Sequence, residues 1–218
     1  ARKGGTSGCV ETGAFGNEAY ILTGYFNIPK ILELALFNGY DNMSGAQLGP
    51  QTGYGYEFTS YEELWEAFCT QMRYFLDMKI RGNLVIEKIY AREMPVPFLS
   101  VLTNDCISRG KDYNAGGARY NTSYIQGVGI GTITDCLAAI KYNVFDHSRF
   151  SMKELMDALK NDFEGYGKIH NLVSNRTPKY GNDDAYADSI MEEVFSFYYK
   201  SVTGRRNNRG GTYRINML

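Results

Sequence analysis

At 218 residues and 44% hydrophobic content, the chain can form one large domain or two small ones and has ample material for a core. A net charge of −1 gives no electrostatic ground for binding nucleic acid or an acidic membrane surface. No run of about 18 apolar residues is present to span a membrane, and Ala1-Arg2-Lys3-Gly4-Gly5-Thr6 has no apolar run behind it to serve as a signal peptide.

Residues 1–27 are glycine-rich and then aromatic, which predicts a loop running into Tyr20–Phe26. Within that loop, Gly8-Cys9-Val10-Glu11 puts a thiol and a carboxylate two residues apart. On an extended segment both side chains point to one side. They would then present an exchangeable hydrogen beside a proton acceptor. The competing reading is a buried structural Cys with a solvated Glu.

Pro29 suits the first turn of a helix over Lys30–Phe37, with Gly39 just past its end. Residues 38–59 are rich in Gly, Asn and Tyr and predict irregular structure. Ser60-Tyr61-Glu62-Glu63 is a capping box. It opens a long helix through Leu64, Phe68, Met72 and Phe75 to about Arg92, with Gly82 as a place to bend and Pro95 and Pro97 as the stop. Phe98–Leu102 predicts a short strand, followed by a helical turn ending at Gly110. After a polar loop over 111–121, Ser123–Val128 predicts a strand and Thr132–Tyr142 a helix. Ser151-Met152-Lys153-Glu154 is a second capping box, opening a helix to about Asn161. Further helices are expected over Tyr166–Val173 and Ala185–Val202, with a turn-rich loop over Pro178–Asp184 between them. Tyr213–Leu218 reads as a strand or buried segment. Helices dominate with short strands between them, which suits an α/β class with strands buried inside helices. The ends of the sequence suggest an internal fragment of a longer chain; a domain trimmed at both ends is the alternative.

Other chemistry-bearing groups are weaker. Gly127-Val128-Gly129-Ile130-Gly131-Thr132 sits between a strand and a helix, where a phosphate loop would sit. Its spacing departs from GxGxxG and no Lys follows, so the competing reading is a tight strand-to-helix turn. His147 and His170 do not pair with Cys9 in sequence, which leaves a Cys/His hydrolase as a distant reading. Asp183, Asp184 and Asp188 lack the ligand density of a calcium loop and read as turn and helix N-terminal acids. Arg205, Arg206 and Arg209 read as a solvated or interdomain basic loop. Cys9, Cys69, Cys106 and Cys136 are far apart, with neither zinc nor cluster spacing, so no metal is expected and reduced thiols in a cytoplasm fit best.

Taken in order, Gly-Cys9-Val-Glu, Gly116-Gly117-Ala118-Arg119-Tyr120-Asn121, Gly127–Thr132, Asp135 with Ala138-Ala139-Ile140-Lys141, Pro178–Asp184 and Arg209-Gly210-Gly211-Thr212-Tyr213-Arg214 resemble the glycyl radical enzymes. The resemblance covers essentially the whole chain, residues 1–218. It implies part of a ten-stranded α/β barrel of the pyruvate formate-lyase type that carries the cysteine loop, without the C-terminal glycyl radical domain. A single cysteine before Val10 is similar to the eliminase and dehydratase branch. The run Thr12–Tyr25 is similar to the subgroup that dehydrates trans-4-hydroxy-L-proline. Other eliminases, a diol dehydratase, a formate acetyltransferase-like enzyme and a non-catalytic structural fragment stand as alternatives.

By the same resemblance, Cys9 and Glu11 are catalytic and Tyr25 lines the substrate pocket. The chain binds no cofactor of its own. A protein-derived glycyl radical in a segment outside it is installed by a radical-SAM activating enzyme. The implied partners are the remainder of the same enzyme chain, that activase and a small-molecule substrate, with a homodimer left open for the full-length protein. No nucleic acid or membrane partner is implied. The isolated chain is expected to be inactive.

Overall fold

The computed structural model describes residues 4–7 and 11–217. Strands β1 (Gly4–Ser7) and β2 (Glu11–Ala14) pair antiparallel, with Gly4 opposite Ala14 and Ser7 opposite Glu11. Strand β3 (Glu18–Asn27) runs directly into helix α1 (Ile28–Leu36). The Asn27 side chain accepts from Lys30 N at 3.3 Å, Pro29 fills the first turn, and Gly39 at φ 77° receives the chain past the helix end. Short strands β4 (Tyr40–Asp41) and β5 (Ala46–Gln47) interrupt the expected irregular stretch.

Helix α2 (Tyr61–Glu93) is the longest element. Ser60 Oγ accepts from Glu63 N at 3.3 Å, while the Glu63 carboxylate reaches back to Thr59 N at 2.6 Å. Gly82 stays within the helix. Helices α3 (Pro97–Val101) and α4 (Cys106–Arg109) follow, then β6 (Tyr120–Val128) and α5 (Ile130–Ile140), which passes into a π-helical stretch at Lys141–Asp146. Helix α6 (Met152–Lys160) carries the second capping box: Ser151 Oγ accepts from Glu154 N at 3.2 Å and Glu154 accepts from Ser151 N at 2.7 Å. Helices α7 (Gly167–Asn175) and α8 (Ala185–Val202) and strand β7 (Tyr213–Met217) complete the order.

Strands β1 and β2 stand where a loop running into Tyr20 was expected, and two further expectations need correcting. Phe98–Leu102 is not a strand. Pro97 sits at the start of α3, and Ser100 Oγ donates to Val96 O at 2.9 Å and to Asp112 at 2.8 Å. The apolar side chains of this turn are exposed, Phe98 by 81%, so the run never had a buried face to pair. The second correction concerns Arg209, which is 2% exposed rather than solvated.

The chain divides into two units. One comprises residues 27–75 and 129–198 and is helical in its core. Leu64, Phe68 and Met72 repeat every four residues along α2 and are fully buried, as are Ile133 and Leu137 of α5 and Val194 and Tyr198 of α8. Trp65 meets Phe197 edge-on at 6.3 Å between ring centres. Gly129, at φ 86°, opens α5 where a Cβ would stand 2.8 Å from the Pro29 ring. The glycine run is therefore a tight turn against α1.

The other unit comprises residues 1–26, 76–128 and 199–218. Its centre is a three-stranded sheet in the order β3-β6-β7, with β6 and β7 parallel in the register Ser123–Tyr213 and Ile125–Ile215. Strand β6 is buried on both faces from Asn121 to Gly127, as parallel strands under helices are. Helices with a parallel strand pair place the chain in the expected α/β class. Among the described residues the sheet is open, and they do not make a ten-stranded closure.

Glu87 of α2, 4% exposed, sits over this sheet. Its Oε1 accepts from Ser123 Oγ and from Tyr213 OH at 3.4 Å, and its Oε2 accepts from Asn208 N at 3.0 Å. Arg209 Nε lies 3.9 Å from Glu87 Oε1. The guanidinium spans two strands: Nη1 donates to Ala19 O at 3.2 Å and Nη2 donates to Thr122 O at 2.7 Å and Ser123 Oγ at 3.0 Å. Burial pulls the Arg209 pKa down, with the Glu87 charge opposing that pull. Backbone closeness completes the joint. A Cβ on Gly116 would stand 2.3 Å from Arg209 O, and one on Gly211 1.7 Å from Asn121 O. Only glycine fits at either place.

Removing one partner strands a buried charge, which costs about 3–5 kcal/mol. Glu87→Ala should lower the urea stability of the purified chain by that amount. The exposed neighbour change Lys88→Ala should stay within about 0.5 kcal/mol. Equal effects of the two would contradict the network.

Candidate functional site

The Cys9 side of the predicted pair lies outside the described residues, as does the side chain of Glu11. The described chain fixes what flanks them. Glu11 opens β2 with its backbone opposite Ser7, so Gly8, Cys9 and Val10 are the whole connection between two paired strands.

The base of this hairpin is a turn over Ala14–Glu18, held from four directions. Asn17 N donates to Ala14 O at 2.9 Å, which closes the turn. Glu18 Oε2 accepts from Ala14 N at 3.0 Å, and Glu18 Oε1 accepts from Tyr124 OH on β6 at 3.3 Å. Asn104 donates its backbone N–H to Gly16 O and its side-chain amide to Asn17 Oδ1, both at 2.7 Å. Tyr120 N, at the start of β6, donates to Asn17 O at 3.0 Å. Gly16 adopts φ 68°, the left-handed conformation this turn requires.

Beyond the turn, β3 is held against β6 and α2. Tyr20 stacks on Tyr124 with centroids 4.2 Å apart, and Asn216 of β7 donates to the Tyr20 hydroxyl. Thr23 donates to Tyr124 O at 2.8 Å and accepts from Asn83 at 2.8 Å, while Lys79 Nζ donates to Thr23 O at 2.9 Å. Burial lowers the Lys79 pKa. These bonds fix β3 beside Gly24, which sits at φ 118°. Tyr25 follows on the same strand, 65% exposed. A cavity of about 530 Å³ opens in this unit, walled by Tyr20, Ile21 and Thr23 of β3, Asn83, Glu87 and Tyr90 of α2, and Arg209.

The other sequence candidates separate from this arrangement. His147 contacts Tyr142 O through Nδ1 at 2.8 Å with its ring against the Tyr142 ring, and His170 lies against Phe163. Asp184 Oδ1 accepts from Tyr186 N at 3.0 Å at the start of α8, a helix N-terminal role. Among the described residues, no group of His, Cys, Asp or Glu is arranged to hold a metal. No described helix is long and apolar enough to cross a membrane. Cys69, Cys106 and Cys136 are free thiols, all with pKa raised by burial, Cys69 to about 12. They hold their protons and are not thiolate nucleophiles.

Sequence reasoning missed Glu18, Glu87, Asn104 and Arg209. A signal existed only for Arg209, which stands between Asn207 and a Gly-Gly pair inside a motif already singled out. Glu87 and Asn104 had no local mark, because their partners lie far away in sequence.

The family model described as pyruvate formate lyase-like matches residues 1–218. The chain is 65% identical over 218 residues to trans-4-hydroxy-L-proline dehydratase of Clostridioides difficile, covering 100% of this chain and 28% of that protein. It superposes on the crystal structure of hydroxyproline dehydratase from Clostridioides difficile with trans-4-hydroxy-L-proline bound, with a TM-score of 0.97 and 64% identity, covering 100% of this chain and 28% of that one. Against the glycerol-bound B12-independent glycerol dehydratase from Clostridium butyricum the TM-score is 0.91 at 36% identity, covering 98% and 27%. The chain thus spans little more than a quarter of the length of the relatives it matches.

The thiols make one pH prediction. An unfolded Cys69 titrates near 9.0, and the folded one near 12. Its contribution to stability is therefore intact below pH 9 and lost as pH rises toward 12. The urea midpoint should fall across that window, and Cys69→Ala should make the fall shallower. A slope unchanged by the substitution would contradict the burial argument.

Proposed function

The chain belongs to the pyruvate formate lyase-like family, and from that premise we propose that it is part of a glycyl radical dehydratase acting on trans-4-hydroxy-L-proline. The reading rests on the 65% identity that runs through every residue of the chain to the enzyme of that activity in Clostridioides difficile. Residues 1–218 would form the segment of the barrel that carries the cysteine loop. Cys9 and Glu11 are the proposed catalytic residues, and Tyr25 is the proposed pocket residue.

A protein-derived glycyl radical outside this segment, installed by a radical-SAM activating enzyme, would supply the hydrogen-abstracting power. The hairpin suits that exchange, because Cys9 lies in the three-residue connection between two paired strands whose base is fixed by Glu18, Asn17 and Asn104. Cys9 gives up its sulfur-bound hydrogen and its sulfur takes one from C5 of the substrate. The ring nitrogen beside C5 stabilises the carbon radical left there. The 4-hydroxyl is a poor leaving group until protonated, and Glu11, two residues from the thiol, manages that proton. Water leaves, and return of hydrogen from Cys9 gives the cyclic imine pyrroline-5-carboxylate. Thiol exchange is reversible, so the radical returns to its source.

The reading carries further expectations. Turnover requires the remainder of the enzyme chain and the activase, under anaerobic conditions and in the cytoplasm, and the full-length protein is compatible with a homodimer. In the full-length enzyme the complete barrel would shield the radicals from solvent.

The test is a chimera in which the matching segment of the Clostridioides difficile enzyme is replaced by this sequence, activated anaerobically. It should convert trans-4-hydroxy-L-proline to pyrroline-5-carboxylate and leave glycerol, 1,2-propanediol and choline untouched. Dehydration of a diol at a comparable rate would overturn the substrate assignment. An activated but inert chimera would favour a structural segment.

Two variants of the chimera probe the residues. Cys9→Ser should retain the glycyl signal in electron paramagnetic resonance yet give no product, since an O–H bond is too strong to relay hydrogen. Glu11→Gln should keep the radical and slow dehydration by about 10² or more. Full activity in either would remove that residue from the mechanism.

A further inference from the structure

The Ala14–Glu18 turn lies outside the reacting groups, yet it receives more directed hydrogen bonds than a surface turn needs. Asn17 is buried, and its Oδ1 takes the Asn104 amide at 2.7 Å. Its Nδ2 donates to Phe15 O at 3.2 Å. Glu18 uses one carboxylate oxygen on Ala14 N and the other on Tyr124 OH, so a single side chain joins the last residue of β2 to strand β6. Tyr124 is in turn held by its stack on Tyr20. The two strands of the hairpin pair only with each other among the described strands, so this turn carries their attachment to the three-stranded sheet. A Cβ on Gly13 would stand 3.5 Å from Glu18 Oε2, so the carboxylate lies close along the β2 backbone.

We propose that Asn17, Glu18 and Asn104 are positioning residues that set where Cys9 and Glu11 stand. This deepens the functional reading above and rests on it. The physical ground is leverage. A hydrogen transfer needs its reacting atoms within about 3–3.5 Å, and a misplacement of about 1 Å can cost about 10²-fold in rate. The direction of the hairpin is set where β2 meets the turn. Asn104 holds that junction through Gly16 O and Asn17. Glu18 holds it through Ala14 N. None of the three needs to touch substrate to act this way.

The experiment uses the same activated chimera with Asn104→Ala, Glu18→Ala and Asn17→Asp. Asn17→Asp keeps an oxygen to accept from Asn104. Turnover per glycyl radical, counted by electron paramagnetic resonance, should drop about 10–10²-fold in the two alanine variants with KM changed little. Asn17→Asp, with that oxygen kept, should hold turnover closer to the parent than either alanine variant. The rate of Cys9 alkylation by iodoacetamide in the unactivated protein, followed by mass spectrometry, should shift several-fold in the alanine variants and stay near the parent in Asn17→Asp.

A purely structural role would instead lower the yield of folded, radical-bearing protein and leave turnover per radical unchanged, which would overturn the proposal. Unchanged Cys9 alkylation in both alanine variants would overturn it as well. The two readings fail separately. If the parent chimera dehydrates another substrate, the substrate assignment falls and the positioning claim is scored on that substrate. If the parent turns over nothing, the alkylation rates alone decide the positioning claim.

Discussion

A buried carboxylate–guanidinium pair, Glu87 with Arg209, is the constraint on which the sheet-bearing unit depends. Both groups are almost wholly removed from water, and each is tied to several others. Such a pair is not a large source of net stability, because desolvating two charges consumes most of their attraction. Its force lies in what it forbids. Arg209 must find acceptors, and it finds them in Ala19 O on β3 and in Thr122 O and Ser123 Oγ on β6. Glu87 must find donors, and it finds them on β6, on β7 and in the loop before β7. Satisfying both charges brings three strands and the second half of α2 into one arrangement.

The glycines at the same joint answer to that arrangement. Gly116 and Gly211 stand where neighbouring carbonyls leave no room for a side chain. Asn207 closes the loop by donating to Asn121 O at 2.8 Å and accepting from Gly211 N at 2.8 Å. The two motifs Gly116–Asn121 and Arg209–Arg214, nearly a hundred residues apart, are thus the two sides of one interlocked loop. From that rigid sheet the polar contacts step outward to β3, to the turn at Glu18 and to the hairpin. These steps combine hydrogen bonds of narrow geometric tolerance with the stacking of Tyr20 on Tyr124.

Much of the helical fold was legible in the sequence because helix ends carry local signals. Ser60 and Ser151 with their Glu partners, and Pro29 with Gly39, name their boundaries within a few residues. Phe98–Leu102 misled because an apolar run has no period of its own at five residues, and Pro97 with Ser100 decided for helix. Arg209 misled because charge next to other charge suggests water, whereas its countercharge lies on α2. Cys9 and Glu11 were singled out from their spacing and glycine content and given a catalytic role by the family resemblance, and they lie where the structure describes only their flanks. The residues that hold their hairpin were not singled out, because Asn17 and Asn104 become neighbours only when the chain folds.

The most direct test of the account is a crystal structure of the activatable chimera with trans-4-hydroxy-L-proline bound. The account predicts Cys9 Sγ about 3.5 Å from C5 of the substrate, with the Glu11 carboxylate within about 3 Å of the 4-hydroxyl or one water away. A substrate bound elsewhere, or a Cys9 sulfur turned away from C5 with Glu11 facing solvent, would contradict it.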